Sequence, residues 1–200
     1  VNRASHESHS TQREIIEERQ VMTEGKTHSL PTPFFVIATQ NPLEQLGTFP
    51  LPESQLDRFL MRISLGYPSR DAERKLLAGN GRRAAADALL PVISLPQLQQ
   101  LQTAALAVHA SNALLDYVQD LIAATRNGQW FAQGLSPRAG IALLRAAKTI
   151  ALMEGRDYVA PDDVQAILPQ VIAHRLVPVG HAGRGAVEQV RAMMQAVPLS

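Results

Sequence analysis

The chain has 200 residues, of which 46% are hydrophobic and 18% are charged, and its formal net charge at pH 7 is +1. This composition is typical of a globular protein of one domain or two small ones, and the near-zero charge excludes a strong electrostatic footprint for nucleic acid or an acidic membrane. The lack of cysteine excludes disulfides and thiolate metal sites and fits a cytoplasmic location, and no apolar run approaches the roughly 18 residues that membrane insertion needs.

The first third of the sequence predicts a mixture of helix and strand. Residues 10–19 are compatible with a helix, and residues 20–30 contain an E-G-K turn between short flanks, which is typical of a β-hairpin. The unbroken apolar run FFVIA at residues 34–38 predicts a strand buried on both faces, as in the interior of a parallel sheet. Residues 60–65 alternate loosely in polarity and predict a second strand.

Polar residues follow the predicted buried strand directly. Asn41 stands at its carboxyl end, where open α/β sheets bind their ligands, and Pro42 stops the run. Pro52 suits the first turn of a helix that holds Leu56, Phe59 and Leu60 and also carries Arg58. Because arginine is a permanent cation with a planar fork of donors, Asn41 and Arg58 together predict chemistry on an anion.

From about residue 68 onward, the periodicity predicts helices only. They are expected over residues 70–77, 95–109, 112–126, Ser136 to Gly155, from Pro161 through Leu168, and 186–195. The buried faces are expected to contain Leu98, Leu101, Ala105 and Val108 in the second helix, Leu114, Leu115, Val118, Leu121 and Ile122 in the third, and Ile141, Leu144, Ala147, Ile150 and Ala151 in the fourth. The second part of the chain is therefore predicted to be a small helical bundle.

Several motifs resemble the MoxR branch of the AAA+ ATPases. The central ones are FFVIATQNP and, close behind it, GTFPLPESQLDRF; upstream stand Asn2-Arg3-Ala4 and Glu18-Arg19-Gln20-Val21, and downstream GLSPRA and His174-Arg175-Leu176. The resemblance covers essentially the whole chain. It implies an α/β fold: a partial AAA+ core of parallel-sheet strands with helices at residues 1–67, followed by an all-α helical lid domain at residues 68–200.

The resemblance also implies roles for three residues. Asn41 matches sensor 1, which orients the attacking water near the γ-phosphate, and Arg138 matches sensor 2, so both are expected to bind nucleotide. Arg58 matches the arginine finger, which acts on the ATP of the neighbouring subunit, and all three are expected to be catalytic. Arg138 also has an independent physical reason to meet an anion. It lies in the first turn of a helix capped by Ser136, where the helix dipole disfavours a cation by roughly 0.3–1 kcal/mol unless an anion binds there.

Two motifs of that family are absent from the sequence. It contains no G-x-x-x-x-G-K-[ST] loop and no apolar strand ending in Asp-Glu. We expect both to lie upstream of Val1, so that the chain is the C-terminal portion of a MoxR subunit and the Mg²⁺ ligands lie outside it. On that interpretation the full-length protein is an ATPase that uses ATP and Mg²⁺, whereas the 200-residue chain alone neither hydrolyses ATP nor binds it tightly.

The resemblance implies partners as well. The full-length protein is expected to form a homo-oligomeric ring, a hexamer, that couples ATP hydrolysis to chaperone-like remodelling or maturation of partners such as von Willebrand factor A domain proteins. Nucleic acid and membrane are not expected partners. Two alternatives stay open: a DNA-processing AAA+ motor, which would need a basic stripe or a DNA-binding domain, and a non-catalytic scaffold that has lost its nucleotide chemistry.

Other residues carry weaker signals. His6 and His9 have metal-ligand spacing but no third ligand in view, so no metal site is expected. His174-Arg175 is expected to anchor the lid, with a nucleotide contact as the alternative. Trp130-Phe131 is expected to be either an exposed loop or an anchor of the lid.

Overall fold

A computed structural model describes residues 20–23, 25–40, 53–78, 89–180 and 185–199. Asn41, the predicted helix over residues 10–19, and the pair His6 and His9 lie outside these ranges. Within the described part of the chain, a β-hairpin and two short helices precede a bundle of longer helices. The predicted order, α/β followed by all-α, is therefore confirmed.

The predicted hairpin is confirmed. Strands β1 (Gln20–Thr23) and β2 (Lys26–Ser29) are antiparallel, with Gln20 opposite Ser29 and Thr23 opposite Lys26. Gly25 lies in the tight connection with a φ of 75°, in the left-handed region that glycine adopts without steric cost. Two closely spaced strands can pair through one short turn, which is why local sequence was sufficient here.

The two strands predicted at residues 34–38 and 60–65 do not form among the described residues. Phe35 and Ile37 are 74% and 77% exposed, and Leu65 is 91% exposed. A strand buried on both faces needs paired neighbours and covering helices, which come from distant parts of a sequence. The only sheet in the described ranges is the hairpin, so these apolar segments have no sheet to join.

The helices follow the predicted boundaries closely. They are α1 (Glu53–Leu56), α2 (Arg70–Leu77), α3 (Leu95–Ala107), α4 (Asn112–Arg126), α5 (Pro137–Met153), α6 (Pro161–Ile172), a 3₁₀ turn (Ala173–Arg175) and α7 (Ala186–Ala196). Helix α1 was predicted to continue through Phe59 but ends at Leu56. Ser69, Ser94, Ser111 and Ser136 each cap the helix that follows by accepting a backbone N–H. None of the described helices combines the length and apolarity needed to cross a lipid bilayer.

Helices α3 to α7 enclose one hydrophobic core, and we call residues 95–199 the bundle. Its largest fully buried side chains include Tyr117, Leu121, Phe131, Leu143, Leu168, Ile172 and Met193. Phe131 is 1% exposed and Trp130 packs against the core, so the Trp130-Phe131 pair is an anchor and not an exposed loop. The backbone of this segment pairs with the chain after α6, through Ala132 N–H to Val177 O at 2.9 Å.

The buried face of α5 differs from the predicted stripe. Ala147 and Ala151 are buried as predicted, but Ile141 is 56% exposed and the core side contains Ala139, Gly140, Ala142, Leu143 and Ala146. Leu101 of α3 and Leu115 of α4, at 48% and 37% exposed, also lie outside the core. The prediction placed larger apolar side chains in the core. Close packing of the helices instead places small residues there, because a Cβ on Gly140 would lie 2.5 Å from Ile122 Cδ1 of α4.

Candidate functional site

The start of α5 is fixed by the last turn of α4. Arg126 donates from Nε and Nη2 to the Leu135 carbonyl, at 3.0 and 2.8 Å. Thr125, which is fully buried, accepts the Leu135 N–H at 3.1 Å through Oγ1. Gly134 allows this approach, because a Cβ there would lie 2.8 Å from Arg126 Cα. Both polar groups of Leu135 are therefore bound, and the position of the next residues is determined.

Those next residues are Ser136, Pro137 and Arg138. Ser136 Oγ accepts the Ala139 N–H at 3.3 Å and so caps the helix, while Pro137 occupies the first position, where no N–H is needed. Arg138 consequently lies in the first turn of α5, as predicted. The helix dipole and the arginine both contribute positive charge at this end of the helix.

Asp57 connects the end of α1 to this helix start. Its carboxylate accepts the Ser136 hydroxyl at 3.1 and 3.2 Å, so that one hydroxyl caps α5 and also binds Asp57. Arg175 of the 3₁₀ turn places Nε 3.6 Å from Asp57 Oδ1. The Arg175 side chain is only 4% exposed, so this ion pair lies largely out of water.

The residues that follow Arg58 also bind the bundle. The Phe59 carbonyl accepts a 2.7 Å hydrogen bond from Arg175 Nη2, and His174 Nε2 lies 3.3 Å from the same oxygen. Three residues later, the Arg62 N–H donates to the Gln170 carbonyl of α6 at 2.9 Å. We call residues 57–62 the junction segment, because both its ends are hydrogen-bonded to the bundle.

Burial and charge shift two titratable groups at this junction. Burial lowers the pKa of His174, and the charges of Arg175 and Arg62 lower that pKa further, so the ring is neutral near pH 7. Burial also lowers the pKa of Arg175, Asp57 raises it, and the nearby charge of Arg138 lowers it again.

The structure brings two of the three predicted site residues to one place. Arg58 lies between Asp57 and Phe59 in the junction segment, and Arg138 lies two residues after the Ser136 that binds Asp57. Asn41 is outside the described residues. The expected anchoring role of His174 and Arg175 is confirmed by their contacts with Phe59.

Sequence reasoning assigned no role to Asp57, Thr125 or Arg126. Asp57 stands beside Arg58 in its motif, and this position was the one signal for it. A half-buried carboxylate needs a hydrogen-bond donor or a cation nearby. Thr125 and Arg126 gave no signal, because their partner, the backbone of Leu135, lies across a loop whose path the sequence does not specify.

The start of α5 offers donors for a phosphate. Arg138 is exposed in the first turn of α5, whereas the Arg175 side chain is buried and binds Asp57 and Phe59. An arginine in the first turn of a helix is a donor that phosphate oxygens prefer. Nowhere in the described ranges do three His, Asp or Glu side chains come together as metal ligands.

Comparisons with known proteins agree with this geometry. Residues 1–61 match the family model for the ATPase family associated with various cellular activities (AAA), and residues 123–195 match the model for the AAA lid domain. The first match ends inside the junction segment, and the second begins in α4 and extends into α7.

Curated relatives match most of the chain. It is 41% identical over 186 residues to the chaperone MoxR1 of Mycobacterium tuberculosis, an alignment that covers 88% of this chain and 49% of that protein. It is 41% identical over 177 residues to YeaC of Bacillus subtilis, covering 88% and 55%, and 33% identical over 195 residues to the protein MoxR of Paracoccus denitrificans, covering 88% and 57%. The chain therefore spans about half the length of these relatives.

A solved structure supports the same assignment of the fold. The crystal structure of a candidate ATPase from Cytophaga hutchinsonii matches all of this chain with a TM-score of 0.86 and 31% sequence identity, and 64% of that protein is covered. Sequence motifs, family models, curated relatives and fold thus agree, and we conclude that the chain belongs to the MoxR family of AAA+ ATPases.

Proposed function

We propose that this chain is the sensing and lid part of a MoxR-type ATPase, which couples ATP hydrolysis in a ring of identical subunits to chaperone-like remodelling of partner proteins. The observation that carries the proposal is the junction itself. The segment bearing Arg58 is hydrogen-bonded to the cap of the helix bearing Arg138, so two candidate phosphate-binding arginines share one polar cluster.

In this proposal the two arginines act on different nucleotides. Arg138 binds phosphate oxygens of its own subunit, helped by the N-terminus of α5, and thereby orders the bundle over the nucleotide. Arg58 reaches the γ-phosphate held by the neighbouring subunit and neutralises the charge that develops during transfer. Asn41 orients the attacking water. Magnesium, when bound with ATP, shields the phosphate charge, and no described residue is assigned to hold it.

The wider role is proposed from the relatives. One is named a chaperone, which supports remodelling of partner proteins as the use of ATP energy. We extend this to a hexameric ring, to von Willebrand factor A domain proteins as partners rather than nucleic acid, and to the cytoplasm, where ATP is supplied. The division into a core part at residues 1–67 and a lid at residues 68–200 belongs to the same proposal, as does the inactivity of the 200-residue chain by itself.

Steady-state ATPase assays of the full-length protein test this function. We expect Arg58→Ala to reduce kcat by about 10³-fold or more, the range known for arginine fingers, while the KM for ATP changes little. Arg138→Ala is expected to lower kcat and to raise the KM as well, because it removes a ligand of the bound nucleotide. The 200-residue chain is expected to show no turnover.

Arg145→Ala is the matched control. Arg145 is an exposed arginine on the same helix α5, and its replacement should leave kcat within about twofold of the wild type. Equal activity of the Arg58 and Arg138 variants and the wild type would contradict the proposed roles. The absence of turnover in the full-length wild type would favour the non-catalytic scaffold. Magnesium-dependent turnover by the 200-residue chain that Arg138→Ala abolishes would contradict its expected inactivity.

A further inference from the structure

Arg58 has little local structure to hold it. Helix α1 is a single turn that ends at Leu56, and too few residues are involved for a helix to be stable alone. The hydrogen bonds within the segment are Arg58 N–H to Gln55 O at 3.3 Å and Phe59 N–H to Leu56 O at 3.1 Å, both of a simple turn. Contacts of the neighbouring residues with the bundle therefore contribute to the position of Arg58.

Those contacts flank Arg58 on both sides. Asp57, the residue before it, binds Ser136 and Arg175, and the carbonyl of Phe59, the residue after it, binds Arg175. The same buried guanidinium of Arg175 thus holds both neighbours of Arg58. An arginine acting on another subunit's phosphate must be held to about 0.5 Å, and a misplacement of 1 Å lowers rates by about 10².

We propose that Asp57 and Arg175 are positioning residues for the arginine finger: their ion pair sets the place of Arg58 without contact with the nucleotide. This inference rests on the proposed function, since it requires Arg58 to act in ATP hydrolysis. It extends that function by making the bundle of one subunit responsible for the finger that serves its neighbour.

The test is a double-mutant cycle in the full-length protein, with kcat and KM for ATP measured for Asp57→Asn, Arg58→Ala and the double variant. Asparagine keeps the shape of Asp57 and an acceptor for Ser136 but loses the charge that pairs with Arg175. We expect Asp57→Asn to reduce kcat by about 10- to 100-fold with little change in KM. In the Arg58→Ala background the same replacement should have no further effect on kcat, because the group it positions is gone. Arg175→Lys keeps the positive charge but loses the guanidinium whose two nitrogens contact Asp57 and Phe59. It should reduce kcat to a similar extent, again with little change in KM.

Asp163→Asn provides the control for a merely structural loss. Asp163 is a buried aspartate of the bundle, and its carboxylate pairs with Arg156 at 2.5 Å rather than with Arg175. An equal loss of kcat in Asp163→Asn at an equal loss of melting temperature would overturn the inference. So would an Asp57→Asn effect that persists beside Arg58→Ala, or one that disappears beside Arg138→Ala instead. If Arg58→Ala alone leaves kcat unchanged, the proposed function fails at the finger itself, and the inference fails with it.

Discussion

At the scale of single residues, the site depends on polar atoms that serve two purposes. The Ser136 hydroxyl caps α5 and donates to Asp57, while Arg175 binds both the Asp57 carboxylate and the Phe59 carbonyl. The capping role of Ser136 could be predicted from sequence, because Ser-Pro before an apolar helical pattern is a local signal. The contact with Asp57 could not, since it joins residues 79 positions apart.

Gly134 provides a test at this scale. An added Cβ would lie 2.8 Å from Arg126 Cα, which is backbone and cannot move aside as a side chain would. We expect Gly134→Ala to lower the free energy of unfolding by about 1–3 kcal/mol through overpacking, more than the roughly 0.4–1 kcal/mol that alanine returns by restricting the unfolded chain. Urea unfolding measures the difference.

The control for that experiment is Gly185→Ala, where an added Cβ meets nothing within 4 Å. It should change the free energy of unfolding by less than Gly134→Ala does. A Gly134→Ala protein as stable as the wild type would show that the loop before α5 is not held against α4 as described.

At the scale of elements, the helices and the local hairpin could be predicted, whereas the interior strands could not. Both bounds of α2 and α4 were predicted to the residue, and in the structure a serine caps the start of each helix. The apolar run at residues 34–38 contains a strand signal that is equally clear, yet Phe35 and Ile37 are exposed. A helix closes its own hydrogen bonds, whereas an interior strand takes them from neighbours that the described residues do not supply.

The contact between the 3₁₀ turn and the junction segment should depend on pH through His174. Burial and the charges of Arg175 and Arg62 lower the pKa of His174 below the usual value near 6.5, so the unfolded state binds the proton more readily than the folded state. The contribution of the neutral His174 ring to the free energy of unfolding is therefore fully present above about pH 6.5. That contribution is lost as the pH falls below this value. Urea unfolding between pH 5 and 7.5 measures this slope.

Replacement of the ring isolates its contribution from that of the other histidines. His174→Gln keeps a donor toward the Phe59 carbonyl but cannot titrate, so its unfolding free energy should fall less steeply below pH 6.5 than that of the wild type. Parallel pH profiles for the two proteins would mean that His174 is not held neutral by the junction.

At the scale of the whole molecule, many large apolar side chains are exposed, and the comparisons extend beyond the length of this chain. Phe35, Ile37, Ile63, Leu65 and Tyr67 are each more than 60% exposed, and a chain rarely leaves so many large apolar side chains in water without a surface to cover them. The chain spans about half the length of the relatives it matches. The family could be predicted from motifs alone, whereas assembly and substrate specificity could not be predicted from them.

The central claim is that Arg58 and Arg138, although joined through Asp57 and Ser136, serve nucleotides of different subunits. Mixing the two full-length variants Arg58→Ala and Arg138→Ala tests it most directly. A competent site needs an intact Arg138 in the subunit that holds ATP and an intact Arg58 in its neighbour. Equal random mixing creates both at about one interface in four.

We therefore expect each variant to be inactive alone and the re-assembled mixture to recover about a quarter of the wild-type ATPase rate. Mixing wild-type subunits with either variant calibrates the exchange of subunits. A mixture no more active than the two variants measured separately, under conditions where that calibration shows exchange, would contradict the claim, because it would place both arginines at the same nucleotide.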